Sequence, residues 1–209
     1  DNAATTSVRP EVVEEMIKVL RADFGNPSST YSVGRHSKAL IENARKSIAK
    51  QFNVSSSEIV FTSCGTEGNN WIIRSAVRDL GVKRIITTKI EHHCTLYSIQ
   101  QMAKEYGTEI QYVNILPNSE IDYNQLEELL KEDVPTLVSL MHVNNEVGTI
   151  LDLKRVADLC IANKALFHTD TVQSVGKVEI PLDEIPVDFI VASAHKFHGP
   201  KGAGFVFIR

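Results

Sequence analysis

Short apolar runs alternate along this chain with longer segments whose apolar residues recur every three or four positions. The runs predict strands over residues 59–62, 84–88, 109–113, 136–141, 165–169, 187–191 and 204–208. The helical period predicts helices over 10–20, 35–52, 67–80, 94–106, 123–130 and 153–163. Pro10 stands at a favoured first-turn position, and Leu40, Ile41, Ala44, Ile48 and Phe52 share one helix face. Strands and helices joined by short connections are the signature of an α/β domain: a mostly parallel seven-stranded sheet flanked by helices in an α/β/α sandwich. Residues 24–34, rich in Gly, Asn, Pro and Ser, read as a long loop.

In open α/β sheets ligands sit beyond the carboxyl ends of the strands. The chemically capable residues of this chain fall there. Ser63, Cys64, Gly65 and Thr66 follow the first strand; Glu91, His92 and His93 follow the second. His142, Asn144 and Asn145 follow the fourth, Asp170 and Gln173 the fifth, and Ser193, His195 and Lys196 the sixth. Five strand exits thus supply candidates for one pocket.

Composition narrows the picture. Over 209 residues, 43% apolar and 23% charged residues give an ordinary globular balance, and the net charge of −4 offers no footprint for nucleic acid or an anionic membrane. No stretch reads as a membrane span or a signal peptide. Three cysteines without CxxC spacing suit a reducing, cytoplasmic setting. The chain lacks an initiator methionine and stops directly after a strand, so a longer parent protein is expected.

Lys196 is the candidate with the sharpest chemistry. It sits between two apolar runs and just before the glycine-rich turn His198–Gly204, where desolvation favours the neutral, nucleophilic amine. With Asp170 it supplies the parts of a pyridoxal 5'-phosphate (PLP) site: an amine for a Schiff base and a carboxylate for the pyridine nitrogen. Taken singly, Lys196 also reads as a solvated turn lysine and Asp170 as a strand-end cap. Gly65 and Thr66 open a helix whose free amides suit a phosphate, although Thr66 could simply cap that helix. No GK[ST] and no GxGxxG occurs, which removes the usual signals of nucleotide binding. His92, His93 and Cys94, or His195 and His198, lack the further ligands and spacing of a metal site. His93 and His198 are expected at the surface or in supporting roles, and Cys160 in the core. No G-x-S-x-G elbow supports a serine hydrolase.

These residues together resemble the large PLP-binding domain of the cysteine desulfurases, in the class V aminotransferase group of fold-type I PLP enzymes. The resemblance rests on residues 1–6 (DNAATT), 24–29 (FGNPSS), 59–63 with Gly65, Thr66 and Glu67, Glu91 and His92, 141–148 (MHVNNEVG), 170–177 (DTVQSVGK), and 193–196 (SAHK) with 199–202 (GPKG). It implies that Lys196 carries PLP and moves protons, that Asp170 pairs with the pyridine nitrogen, and that Gln173 binds the phenolic oxygen. It implies that His92 stacks on the ring and serves as an acid or base. Gly65, Thr66, Ser193 and His195 would hold the phosphate, and Asn145 would lie near the ring oxygen and the substrate carboxylate. No metal is implied.

The activity implied is removal of sulfur from L-cysteine, giving L-alanine and an enzyme persulfide for iron–sulfur cluster assembly or other sulfur transfer. A selenocysteine lyase or another class V lyase or aminotransferase is the alternative, and a non-catalytic PLP- or protein-binding fragment is the alternative of another class. The nucleophilic cysteine and the substrate-binding arginine are expected beyond residue 209, so this chain alone is expected to be inactive. Residues 1–20 are expected to join a small domain whose C-terminal part is absent, with 21–209 forming the large domain. A homodimer and a sulfur-acceptor or scaffold protein are the implied partners. Cys64, where the family has a small residue, and Thr171, where alanine is common, depart from the pattern.

Overall fold

In the computed structural model, which describes all 209 residues, β7 (Gly204–Ile208) runs antiparallel between β1 (Ile59–Thr62) and β6 (Phe189–Ser193). The remaining strands, β2 (Arg84–Thr87), β3 (Glu109–Tyr112), β4 (Thr136–Ser139) and β5 (Leu166–Asp170), pair in parallel with their neighbours. The order across the sheet is β1-β7-β6-β5-β4-β2-β3. The seven strands and the mostly parallel pairing agree with the reading of the sequence.

Alternation along the central strands builds two apolar layers. Ile86, Val138, Phe167, Ile190, Phe205 and Phe207 face one side, against α2 (Ser32–Gln51), α5 (Tyr123–Leu130) and α6 (Leu153–Ala162). Ile85, Leu137, Val191 and Val206 face the other, against α3 (Gly65–Arg78) and α4 (His93–Tyr106). Both faces are covered, which is why these strands read as nearly continuous apolar runs. Cys160 is buried in the first layer, as expected. Gly68 lets α3 approach the sheet: a Cβ there would lie 2.7 Å from Val206 and 2.8 Å from Val191.

Element boundaries moved where side chains intervene. β6 begins at Phe189 rather than 187, because Asp188 turns its carboxylate onto the Phe167 amide at 2.7 Å. α2 begins at Ser32, inside the expected loop, and Gly34 allows that loop to fold back on its first turn. A Cβ on Gly34 would lie 2.4 Å from the Asn26 carbonyl oxygen. α1 (Pro10–Ala22) buries no residue, and Val13, Met16 and Ile17 stay exposed. No helix is long and apolar enough to cross a membrane.

Candidate active site

A cavity of about 620 Å³ opens at the carboxyl ends of the parallel strands. All nine candidate site residues line it: Gly65, Thr66, His92, Asn145, Asp170, Gln173, Ser193, His195 and Lys196. Three elements set its chemistry. The end of β5 presents Asp170, the 3-10 turn after β6 presents His195 and Lys196, and the start of α3 presents Gly65 and Thr66.

Asp170 is almost wholly buried, and burial raises its carboxyl above the ordinary aspartate range. Its Oδ1 accepts from the Val172 amide at 2.9 Å, and its Oδ2 from Asn69 Nδ2 at 2.7 Å. These neutral donors stabilise the ionised form without cancelling its charge, so the site is built for a cationic partner.

Lys196 is partly buried, and its amine is held below the usual lysine range first by desolvation and then by Lys177. Its Nζ donates to the Ala3 carbonyl, which also accepts from Gln173 Nε2 at 2.7 Å. The N-terminal segment therefore lines the cavity, and its Ala3 touches two of the candidate residues. It is fixed there by Thr6, whose amide bonds the His195 carbonyl.

Thr66 does not cap its helix. The N-cap position is Cys64, and no side chain accepts from the first turn of α3. The Gly65 and Thr66 amides are left beside Ser193 at the positive end of the helix, an arrangement suited to an anion. Gly65 is required here: a Cβ would lie 2.5 Å from Val172 Cγ2.

His92 caps α4, its Nδ1 accepting from the Cys94 amide at 3.2 Å, which leaves the proton of the neutral ring on Nε2. Cys94 Sγ lies 3.0 Å from the same Nδ1. That contact is the main cause raising the His92 pKa above the ordinary value. Burial opposes ionisation of Cys94, but its contacts with His92 and Asn69 outweigh it and hold the thiol below its usual range.

Not every polar residue at a strand exit reaches the cavity. Glu91 and His142 are buried beside it, and Asn144 holds the Ile90 carbonyl and the Glu146 and Val147 amides. His93 stacks on Tyr97, and His198 Nδ1 lies 3.0 Å from the Ser7 carbonyl oxygen, so both are supporting residues. No three His, Cys, Asp or Glu side chains converge as a metal site. Thr171 ties β5 to β6 through its hydroxyl, 2.7 Å from the Val191 carbonyl oxygen. Asn69 and Cys94 also line the cavity and were not among the sequence candidates. In the sequence Cys94 reads as a metal-ligand candidate beside His92 and His93, and the signal for Asn69 is the helical period, which puts it on the same face of α3 as Gly65 and Thr66.

Comparison with known proteins gives the same direction. The family described as Aminotransferase class-V matches residues 1–209. "Cysteine desulfurase IscS" of Dictyoglomus turgidum is 43% identical over 211 residues, covering 100% of this chain and 53% of that protein. The solved structure titled "NIFS-LIKE PROTEIN" superposes with a TM-score of 0.95 at 42% identity, covering 100% of this chain and 58% of its own. "SspA in complex with cysteine" gives a TM-score of 0.93 at 33% identity, covering 100% and 60%. The chain spans about half the length of the curated relatives it matches.

Proposed function

The chain belongs to the class-V aminotransferase family, and from that premise we propose that it is the PLP-binding part of a cysteine desulfurase. The observation that carries the proposal is a single cavity joining a partly desolvated lysine, a buried carboxylate without a cationic partner, and an uncapped helix N-terminus. These fit the three ends of PLP: its aldehyde, its pyridine nitrogen and its phosphate. When bound, PLP supplies a carbonyl for amines and a protonated ring that withdraws electrons from the substrate.

The chain's own residues divide the work. Asp170, which accepts from Asn69 and Val172, would pair with the pyridine nitrogen and keep it protonated. The Gly65 and Thr66 amides, with Ser193 and His195, would hold the phosphate. Gln173, which donates to the Ala3 carbonyl here, would donate to the phenolic oxygen instead. His92, with its ring proton on Nε2, would cover the cofactor ring, and Lys196 would take and return protons at Nζ. Asn145 orients the substrate carboxylate.

The substrate is L-cysteine, supported by the desulfurase relatives and by a structural neighbour whose title records cysteine. The products are L-alanine and a persulfide on a thiolate outside these residues, from which an acceptor or scaffold protein takes sulfur. Cys64 and Cys94 line the cavity, and Cys160 is sealed in the core. Three free thiols suit a reducing, cytoplasmic compartment. The exposed apolar face of α1 supports assigning residues 1–20 to a second, smaller domain, and a homodimer completes the reading. Alanine release from L-cysteine by the intact protein, with sulfide release once an added thiol reduces the persulfide, tests the activity. Stoichiometric release that Lys196→Ala abolishes is the expected result; release without alanine would refute it.

A further inference from the structure

We propose that Asn69 is a positioning residue for the pyridine nitrogen of PLP: oriented by His168 and Ser139, its amide holds the Asp170 carboxylate in place at the cavity. The inference rests on the PLP reading above and adds to it a buried chain of four side chains. Ser139 Oγ lies 2.9 Å from His168 Nδ1, His168 Nε2 lies 3.0 Å from Asn69 Oδ1, and Asn69 Nδ2 lies 2.7 Å from Asp170 Oδ2. Ser139, His168 and Asn69 are fully excluded from solvent, and Asp170 nearly so.

The direction of every proton in this chain follows from the chemistry. Against an ionised Asp170, a flipped Asn69 amide would set its oxygen 2.7 Å from a carboxylate oxygen, so Nδ2 faces Asp170. Oδ1 can then only accept, which makes His168 Nε2 the donor. Burial drives the His168 pKa down to about 3, so the ring is neutral, and its bare Nδ1 accepts from the Ser139 hydroxyl. With Asp170 ionised, one donor sequence satisfies every member: Ser139 to His168 to Asn69 to Asp170. The strands impose it. Ser139 and His168 are register partners on β4 and β5, and His168 and Asp170, two residues apart, share one face.

Asn69 also reaches Cys94 Sγ at 3.5 Å, which joins the chain to His92. His92 and Lys196 face Asp170 from the cavity and Glu91 from the adjoining loop. None of these makes a direct hydrogen bond to the carboxylate; Asn69 is the side chain that does. In the folded protein the Asn69 amide, with the Val172 amide, therefore favours an ionised Asp170 oxygen against the burial that opposes it.

The test is a double-mutant cycle on the intact protein, using PLP as the probe. Asn69→Leu, Asp170→Asn and the double variant are compared for PLP affinity and for the midpoint pH of the bound cofactor's visible band. Asn69→Leu is expected to weaken PLP at least tenfold and to move the midpoint, while changing affinity far less in the Asp170→Asn background. An unmoved midpoint with wild-type affinity overturns the inference. So does an equal loss in both backgrounds, which would make Asn69 a packing residue only. His168→Phe is the second variant, should Asn69→Leu not fold. It removes only the group orienting the amide, is expected to shift the midpoint in the same direction, and overturns the inference if it does not. Failure of the unmutated protein to take up PLP would overturn the site reading itself, and the inference with it, before any variant is compared.

Discussion

Thr6 grips His195 across 189 residues of sequence: its amide and its hydroxyl each lie 2.9 Å from the His195 carbonyl oxygen. The same hydroxyl accepts from the His198 amide at 2.8 Å. The turn that carries Lys196 is thus fastened to the N-terminal segment as well as to the sheet. Replacing Thr6 by valine keeps the shape and removes two hydrogen bonds. It is expected to cost about 1–2 kcal/mol, read by denaturant unfolding, and to speed PLP release, with Thr6→Ser restoring both. Unchanged release would mean that the N-terminal segment does not support the lysine turn.

Two neighbouring glycines separate packing from binding. Gly65 and Gly68 both meet a valine too closely to accept a Cβ, but only Gly65 lines the cavity. Each alanine variant is expected to lose about 1–3 kcal/mol of stability. PLP affinity should fall for Gly65→Ala and hold for Gly68→Ala in folded protein; equal affinities would remove Gly65 from the phosphate site.

Glu91 gives the fold a defined pH dependence. Burial pushes its pKa up to about 8, against the ordinary value of 4.5. Between those values the native state holds a proton that the unfolded chain releases, so this group lowers stability as pH rises from about 4.5 to about 8. The slope from a single proton is at most about 1.4 kcal/mol per pH unit. Glu91→Gln removes the proton and is expected to flatten that part of the stability profile. An unaltered profile in urea melts would show that Glu91 is ionised in the fold.

The three thiols should differ in reactivity. Cys64 and Cys94 line the cavity, and Cys94 is held below the usual thiol range, whereas burial pushes Cys160 far up. Iodoacetamide labelling followed by peptide mass analysis is expected to modify Cys94 and Cys64 and spare Cys160 in native protein. PLP should protect Cys94. Labelling of Cys160 at the same rate would contradict the packing of α6 against the sheet.

Most of the architecture was legible because both faces of the sheet are covered, which leaves strands such as β6 and β7 as plain apolar runs. β1 (Ile59–Thr62), β7 (Gly204–Ile208) and α5 (Tyr123–Leu130) stand where the pattern put them. Boundaries failed where a side chain took over from the backbone, as Asp188 does ahead of β6. At the site, residues at strand exits announced themselves by chemistry and position. Asn69 did not, because its role depends on which groups α3 meets across the sheet, a contact that helical period alone does not reveal. Glu91, His142 and Asn144 show the converse: polar residues at strand exits that the fold turns into buried structure.

The central claim is that Lys196 is the point of covalent attachment for PLP, and one measurement reaches it most directly. The intact protein is loaded with PLP, reduced with borohydride, digested and mapped by mass. The account predicts one cofactor per chain, on the peptide containing Lys196. Attachment at another lysine, or none in folded protein, would contradict it.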